Sequence, residues 1–194
     1  LWGIDLGLGT LESQLILVET FLRQARIDYD TLLRLLNTRY LNPGRVIEVT
    51  FTGDPCSLDG AELSGGNLTP LLDRSHRLLR LQRRLNGWSE YDIDRVVRAF
   101  GVSDFDDPAF LPALADVEAL NASYGLPIAE LTSWWTDLDT YVFEEDGVSQ
   151  YEAVFLDPAL FPDMAVGSGP DLRNEVFALT PDRSDLAVTQ SSDQ

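Results

Sequence analysis

One cysteine, one histidine and no lysine occur in a chain of 194 residues. The single Cys56 leaves nothing for an intramolecular disulfide framework, and Cys56 with His76 falls short of a conventional zinc ligand set. Stability must therefore come from packing. Long hydrophobic runs are lacking too. No apolar run exceeds four residues: "LILV" at 15–18, closed by Gln14 and Glu19, is far below the roughly 18 apolar residues of a transmembrane helix. The start, Leu1 rather than Met, carries no basic, apolar and small-residue succession of a signal peptide, so the sequence reads as a piece of something longer. Positive charge is scarce: 14 basic residues, all arginine, face 32 acidic ones, for a formal net charge of −18. A negative field of that size repels phosphate backbones, which argues against nucleic acid as the principal partner. What is present, 44% hydrophobic and 24% charged residues, is ordinary globular composition and argues against global disorder.

The pattern along the chain is mainly α. Leu11, Leu15, Val18 and Leu22 form an amphipathic stripe that predicts one helix over 11–25. A turn at "RIDYD" starts a second, with Leu32, Leu33, Leu35 and Leu36, stopped by Asn42-Pro43-Gly44. From 45 to 66 the β-branched, alternating "RVIEVTF" and a Gly, Asp and Pro cluster predict one or two short strands and a surface loop. Thr69 then offers an N-cap, Pro70 a first helical residue and Gly87 a residue just past the end. The expected architecture is an irregular bundle of antiparallel helical hairpins with one short β and loop insertion near 45–66.

The helix expected from Thr69 concentrates the scarce cations: "TPLLDRSHRLLRLQRRLNG" has five arginines and the only histidine. Projected at about 100° per residue, Leu71, Leu78, Leu81 and Leu85 share one sector, while Arg77, Arg80 and Arg84 form a flank with Arg83 and His76 nearby. This flank is expected to dock against acidic neighbours in the same chain or in a neighbouring subunit. Arg74 instead projects into the leucine stripe, where it either snorkels to water or takes a carboxylate or carbonyl partner.

Further on, Ser89 and Asp92 occupy the positions of a capping box, ahead of Ile93, Val96, Val97 and Phe100. More helices are expected within "AFLPALADVEALNASYG", "PIAELTSWWTDLDTY" and around Tyr151, Val154 and Phe155. "MAVGSGPD" reads as a loop and "FALTPDRSDLAV" as a capped helix start. These divide the chain into a helical module over 1–163 and, over 164–194, a loop with the truncated start of another hairpin. An internal echo also recurs: Ile27, Trp88 and Leu126 each precede a turn or cap residue (Asp28, Ser89, Pro127), with Leu32, Ile93 and Leu131 five positions on. The unequal intervals exclude a solenoid of fixed period.

Candidate chemistry is thin. Asp137 and Asp139, beside Trp134 and Trp135, would point apart on a helix and so could not flank one bond. "YVFEEDGVSQYEAVF" does not fit the calcium-loop template, and "GIDLGLGT" lacks the lysine and preceding strand of a phosphate loop. Cys56 and His76 have no oxyanion signature beside them, so Cys56 reads as a buried structural thiol and His76 as a helix-surface residue. The four tryptophans read as core and hairpin-contact residues. No catalytic residue, cofactor or metal is expected.

Five stretches, "YDTLLRLLNTRYLNP", "CSLD", "LLDRSHRLLRLQRRLNGWSEYDIDRVV", "GLPIAELTSWWTDLDTY" and "YEAVFLDPALF", stand in an order and wording that resemble the A component of the bacterial Tc toxin complexes and the related virulence-plasmid A protein. The resemblance runs from about residue 20 to 162 and is most specific across 71–97. It implies a non-catalytic segment of a large α-helical shell around a translocation channel. The implied parent is a secreted, pentameric subunit that binds host cells through other regions and delivers a toxic enzyme carried by other components. On this resemblance Arg74, His76, Arg77, Trp88, Asp92 and Asp94 are scaffold positions, and neighbouring domains of the same long chain are the immediate partners. A free-standing helical interaction module and an acidic hydrolase with converging carboxylates are the alternatives. With 32 carboxylates and one histidine, any acid response would fall mainly to Asp and Glu.

Overall fold

The stripe of Leu11, Leu15, Val18 and Leu22 does not lie on one helix. In the computed structural model, which describes residues 2–3, 7, 9–54, 56–85, 87–143, 147–157, 159–160 and 177–180, helix α1 spans Leu11–Leu15 and α2 spans Val18–Ala25. Between them the Ile16 carbonyl accepts a hydrogen bond from the Leu63 amide at 2.8 Å, and Leu17 forms an antiparallel bridge with Glu62. The break is a tertiary event: a distant backbone supplies the partners that the next helical turn would have supplied, and local periodicity carries no trace of it.

The strand responsible belongs to the insertion. Strands β1 (Glu48–Phe51) and β2 (Ala61–Ser64) pair antiparallel, with Glu48 opposite Ser64 and Phe51 opposite Ala61. Ala61 and Leu63 point into the core, as strand alternation requires. The approach to β1 is pinned by Asn42, whose buried amide donates to the Leu36 and Ile47 carbonyls and accepts from the Ile47 amide at 2.8–2.9 Å. After β2 the chain turns at Gly65, at φ +98°, where a Cβ would stand 2.0 Å from the Val46 carbonyl oxygen.

The remaining helices are α3 (Tyr29–Leu36), α4 (Leu68–Gln82), α5 (Glu90–Ala99), α6 (Phe110–Tyr124), α7 (Ile128–Thr132) and α8 (Gln150–Phe155). The fold is mainly α, an irregular bundle with one short β insertion. Helix α4 starts at Leu68, two residues earlier than a cap at Thr69 predicts, because Asn67 is the N-cap and its side chain accepts from the Thr69 amide at 3.0 Å. It ends at Gln82 in a tightened turn, so Gly87, with φ +79°, serves the connection to α5 and not the helix end. Helix α7 also stops early. The Thr132 hydroxyl bonds back to the Ile128 and Ala129 carbonyls, and "SWWTDLDTY" continues without helix. The helix start expected within "FALTPDRSDLAV" lies outside the described residues beyond 177–180.

By contact the chain divides into two units, Leu1–Thr132 and Ser133–Gln194. The core of the first draws Leu15, Phe21, Leu32, Leu78, Ile93, Phe110 and Leu131 from α1 to α7, with Leu63 from β2. The three echoed segments are the entries of α3, α5 and α7. Asp28 and Ser89 are N-caps whose side chains accept from Thr31 and Asp92 amides, and the Pro127 carbonyl accepts from the Leu131 amide. Ile27, Trp88 and Leu126 thus precede the cap while Leu32, Ile93 and Leu131 sit one turn in, the positions of a hydrophobic staple. All six pack in or against the core. Helix α5 packs against both α3 and α7, so one local device sets three neighbouring helices on the same core. In the second unit, α8 begins with a capping box between Ser149 and Glu152. Among the described residues no helix is long and apolar enough to cross a membrane.

Replacing Gly65 by Ala meets both the positive φ and the Val46 carbonyl, whereas Ala at Gly125, the left-handed cap of α6, meets open space. Gly65→Ala is expected to cost about 2 kcal/mol or more and Gly125→Ala about 1 kcal/mol, read as urea midpoints at constant slope.

Candidate functional site

A connected polar arrangement of the first unit forms where α3 ends and α4 and α5 pass. Asp94, on the inner face of α5, is only 1% exposed. Its carboxylate accepts from the Arg39 Nε at 2.9 Å and the Tyr40 amide at 2.7 Å. One turn earlier, buried Glu90 accepts from the Arg34 Nε at 3.2 Å and the Gln82 side-chain Nε2 at 3.0 Å. Two carboxylates four residues apart on one helix face thereby hold α3, the segment after it and the last turn of α4. A buried charge is tolerable only with partners of this kind.

Tyr40 passes the constraint on. Its carbonyl accepts from the Arg74 Nη1 at 3.0 Å, and the same guanidinium lies 5.4 Å from the Tyr40 ring centre, a cation–π arrangement. Arg74 therefore takes the carbonyl partner that its place in the leucine stripe requires. The other aromatic neighbour of Tyr40 is Phe105, stacked at 4.5 Å, and Phe105 stacks in turn on Phe110 at 5.0 Å. The Tyr40 hydroxyl donates to Asp104 Oδ1 at 2.9 Å, an oxygen also met by Arg77 at 3.1 Å and by the Phe105 amide at 2.7 Å. Burial and the bond to Asp104 push the Tyr40 hydroxyl well above its ordinary pKa. Burial also works against ionisation of Asp104, but the Tyr40 hydroxyl, the Phe105 amide and the charges of Arg77 and Arg74 outweigh it and hold the carboxyl below its usual range.

Of the six scaffold positions expected from sequence, Arg74, Arg77 and Asp94 converge here. Asp92 closes a reciprocal capping box with Ser89, at 2.9 and 3.1 Å, and Trp88 is buried just before it. His76 packs its ring at 5.8 Å from that of Trp2. Burial, with Arg80 and Arg83 nearby, pushes the imidazole below its ordinary value of 6.5. The arginine flank does not behave as a unit. Arg77 meets Asp73 and Asp104, Arg83 donates to the Ala25 carbonyl at 2.7 Å, and Arg80 and Arg84 stand exposed. The buried ties to carboxylates are made by Arg34 and Arg39, which composition and spacing did not single out. Arg39 and Asp94 are 55 residues apart, so no local signal joins them.

Other expectations are corrected. Cys56 is exposed, on the loop between the strands, rather than buried. Trp2 and Trp88 are core residues, but Trp134 and Trp135 are 58% and 42% exposed. Asp139 lies outside any helix and is buried, its carboxylate accepting from the Tyr141 amide and its carbonyl from the Tyr151 amide, so it organises a turn. Residues 144–146 of "YVFEEDGVSQYEAVF", the stretch that does not fit the calcium-loop template, and residues 4–6 and 8 of "GIDLGLGT" lie outside the described residues. Among the described residues no three His, Cys, Asp or Glu side chains gather as a metal site needs. Comparison with protein-family models, curated proteins and solved structures found no match to this chain. The arrangement of Asp94, Arg39, Tyr40, Arg74, Asp104 and Arg77 ties α4 and α5 to the segments that follow α3 and precede α6.

Removing the Asp94 carboxylate takes from the Arg39 Nε and the buried Tyr40 backbone amide the acceptor they share. Asp94→Ala is expected to cost about 3 kcal/mol, and a double-mutant cycle with Arg39→Ala to return a coupling of about 1 kcal/mol or more. Acid should act in two stages. His76, lowered in the fold, favours the neutral ring, so its contribution is present above its unfolded pKa and is lost as pH falls through the folded value. Asp104, also lowered, contributes above its unfolded carboxylate pKa and is lost as pH falls through its depressed folded value. Thermal midpoints between pH 8 and 3 should show both stages, with His76→Gln flattening the first and Tyr40→Phe weakening the second.

Proposed function

We propose that this chain is a non-catalytic structural segment of the α-helical shell of a Tc-type toxin A component, the pentameric, secreted subunit that binds host cells and delivers a toxic enzyme. One observation carries the reading. Within 71–97, the stretch that most specifically resembles that family, Arg74, Arg77, Trp88, Asp92 and Asp94 are spent on capping, stacking and buried ties between helices. Residues used in this way support a scaffold. They are not a nucleophile, a base or a ligand shell awaiting substrate. The neighbouring domains of a long parent chain and its copies around a ring are the partners in this reading.

A second reading, a free-standing helical interaction module, is favoured by one specific feature: the exposed Arg80 and Arg84 on an otherwise acidic protein. The two readings differ in size. The parent reading frame and the native mass by light scattering distinguish them. A toxin-sized parent that runs at about five times its chain mass is the expected result. A parent little longer than this chain that runs as a monomer would overturn the shell reading in favour of the module. Hydrolysis of a polysaccharide or peptide panel by the purified chain, lost in Asp137→Ala with Asp139→Ala, would overturn both.

A further inference from the structure

Six of the 14 arginines, Arg23, Arg26, Arg77, Arg80, Arg83 and Arg84, line two hollows of the first unit that share His76 and Arg83. In a protein of net charge −18 this is a concentrated exception. Five of the six are exposed, and among the described residues no carboxylate pairs with Arg80 or Arg84. The larger hollow, about 650 Å³, is a groove beside the second half of α4. Its basic rim surrounds an apolar floor of Leu81, Phe105 and Leu111, the last 56% exposed at the start of α6. Asp106 is the acidic residue on its margin, and Asp73 and Asp104 are already engaged by Arg77.

We infer that this groove is a docking surface for an acidic, amphipathic segment of a partner protein, with carboxylates reaching Arg80 and Arg84 and apolar side chains covering Leu81, Phe105 and Leu111. The combination selects the occupant. Bare phosphate chains would satisfy the arginines and leave the apolar floor wet, whereas a segment with acidic and apolar faces covers both. The net negative charge is no obstacle at physiological salt. A Debye length of about 8 Å screens distant carboxylates, while contacts at hydrogen-bond distance are retained. Guanidinium forks match carboxylates in two-point geometry, and exposed Leu111 offers the partly wet apolar surface that docking would dry. The inference rests on the groove alone, and the occupant it assigns is an acidic, amphipathic segment of a separate partner protein.

The test uses the full chain and a fluorescently labelled synthetic peptide with glutamate and leucine on opposite helical faces, followed by anisotropy at about 0.15 M salt. A peptide with glutamine for glutamate and an inorganic polyphosphate competitor accompany it. Binding of the glutamate peptide is expected, weakened about tenfold by Arg80→Glu with Arg84→Glu or by the glutamine peptide, and severalfold by Leu111→Ser. Circular dichroism checks that the variants fold, and Arg80→Gln with Arg84→Gln replaces the reversal if it does not. Equal binding of the two peptides, or no effect of the arginine changes in a folded protein, would overturn the proposal. So would polyphosphate that displaces the peptide completely while Leu111→Ser leaves binding unchanged, since the groove would then be an anion sink.

Discussion

A carboxylate withdrawn from water must be met by donors, and Asp94 imposes that requirement on the first unit. Its two oxygens take the Arg39 side chain and the Tyr40 amide, which leaves the chain after α3 one way to run. Tyr40, fixed at its backbone, then fixes Arg74 through its carbonyl, Asp104 through its hydroxyl and Phe105 through its ring. Four segments distant in sequence are thereby referred to one side chain. The geometry is specific, because each contact is directional, whereas the leucine core beneath it would accept many small displacements.

Local rules were legible in the sequence because the physics behind them is local. The capping box at Ser89 and Asp92, the cap at Asp28 and the strand pattern over 45–66 each depend on residues a few positions apart. The echo of Ile27, Trp88 and Leu126 was visible as a pattern, and its meaning as a staple came only with the helix starts in place. What composition and spacing could not supply is the set of ties across more than fifty residues: Arg39 to Asp94, Arg34 to Glu90, Arg83 to the Ala25 carbonyl. The same limit explains the helix that was expected over 11–25 and is broken, and the buried Asp139 in a stretch expected to be helical.

The basic helix illustrates both sides. Its leucine face and the misplaced Arg74 followed from a helical wheel, and Arg74 found a carbonyl as the cost of burying a lone charge demands. The opposite flank was expected to neutralise itself against acidic neighbours. Only Arg77 does so, since its neighbour Asp104 is brought to it by the Phe105 and Phe110 stack. Arg80 and Arg84 pair with no carboxylate among the described residues and stay exposed.

The interruption between α1 and α2 has a further meaning. An apolar stripe continuous across residues 11–22 has the spacing of one helix, and the Leu63 amide and the bridge from Glu62 meet the backbone where that helix is broken. The N-terminal segment and the β hairpin are therefore interlocked. A pair of four-residue strands thus sets where two helices meet, a boundary that the apolar spacing of the helices themselves does not mark.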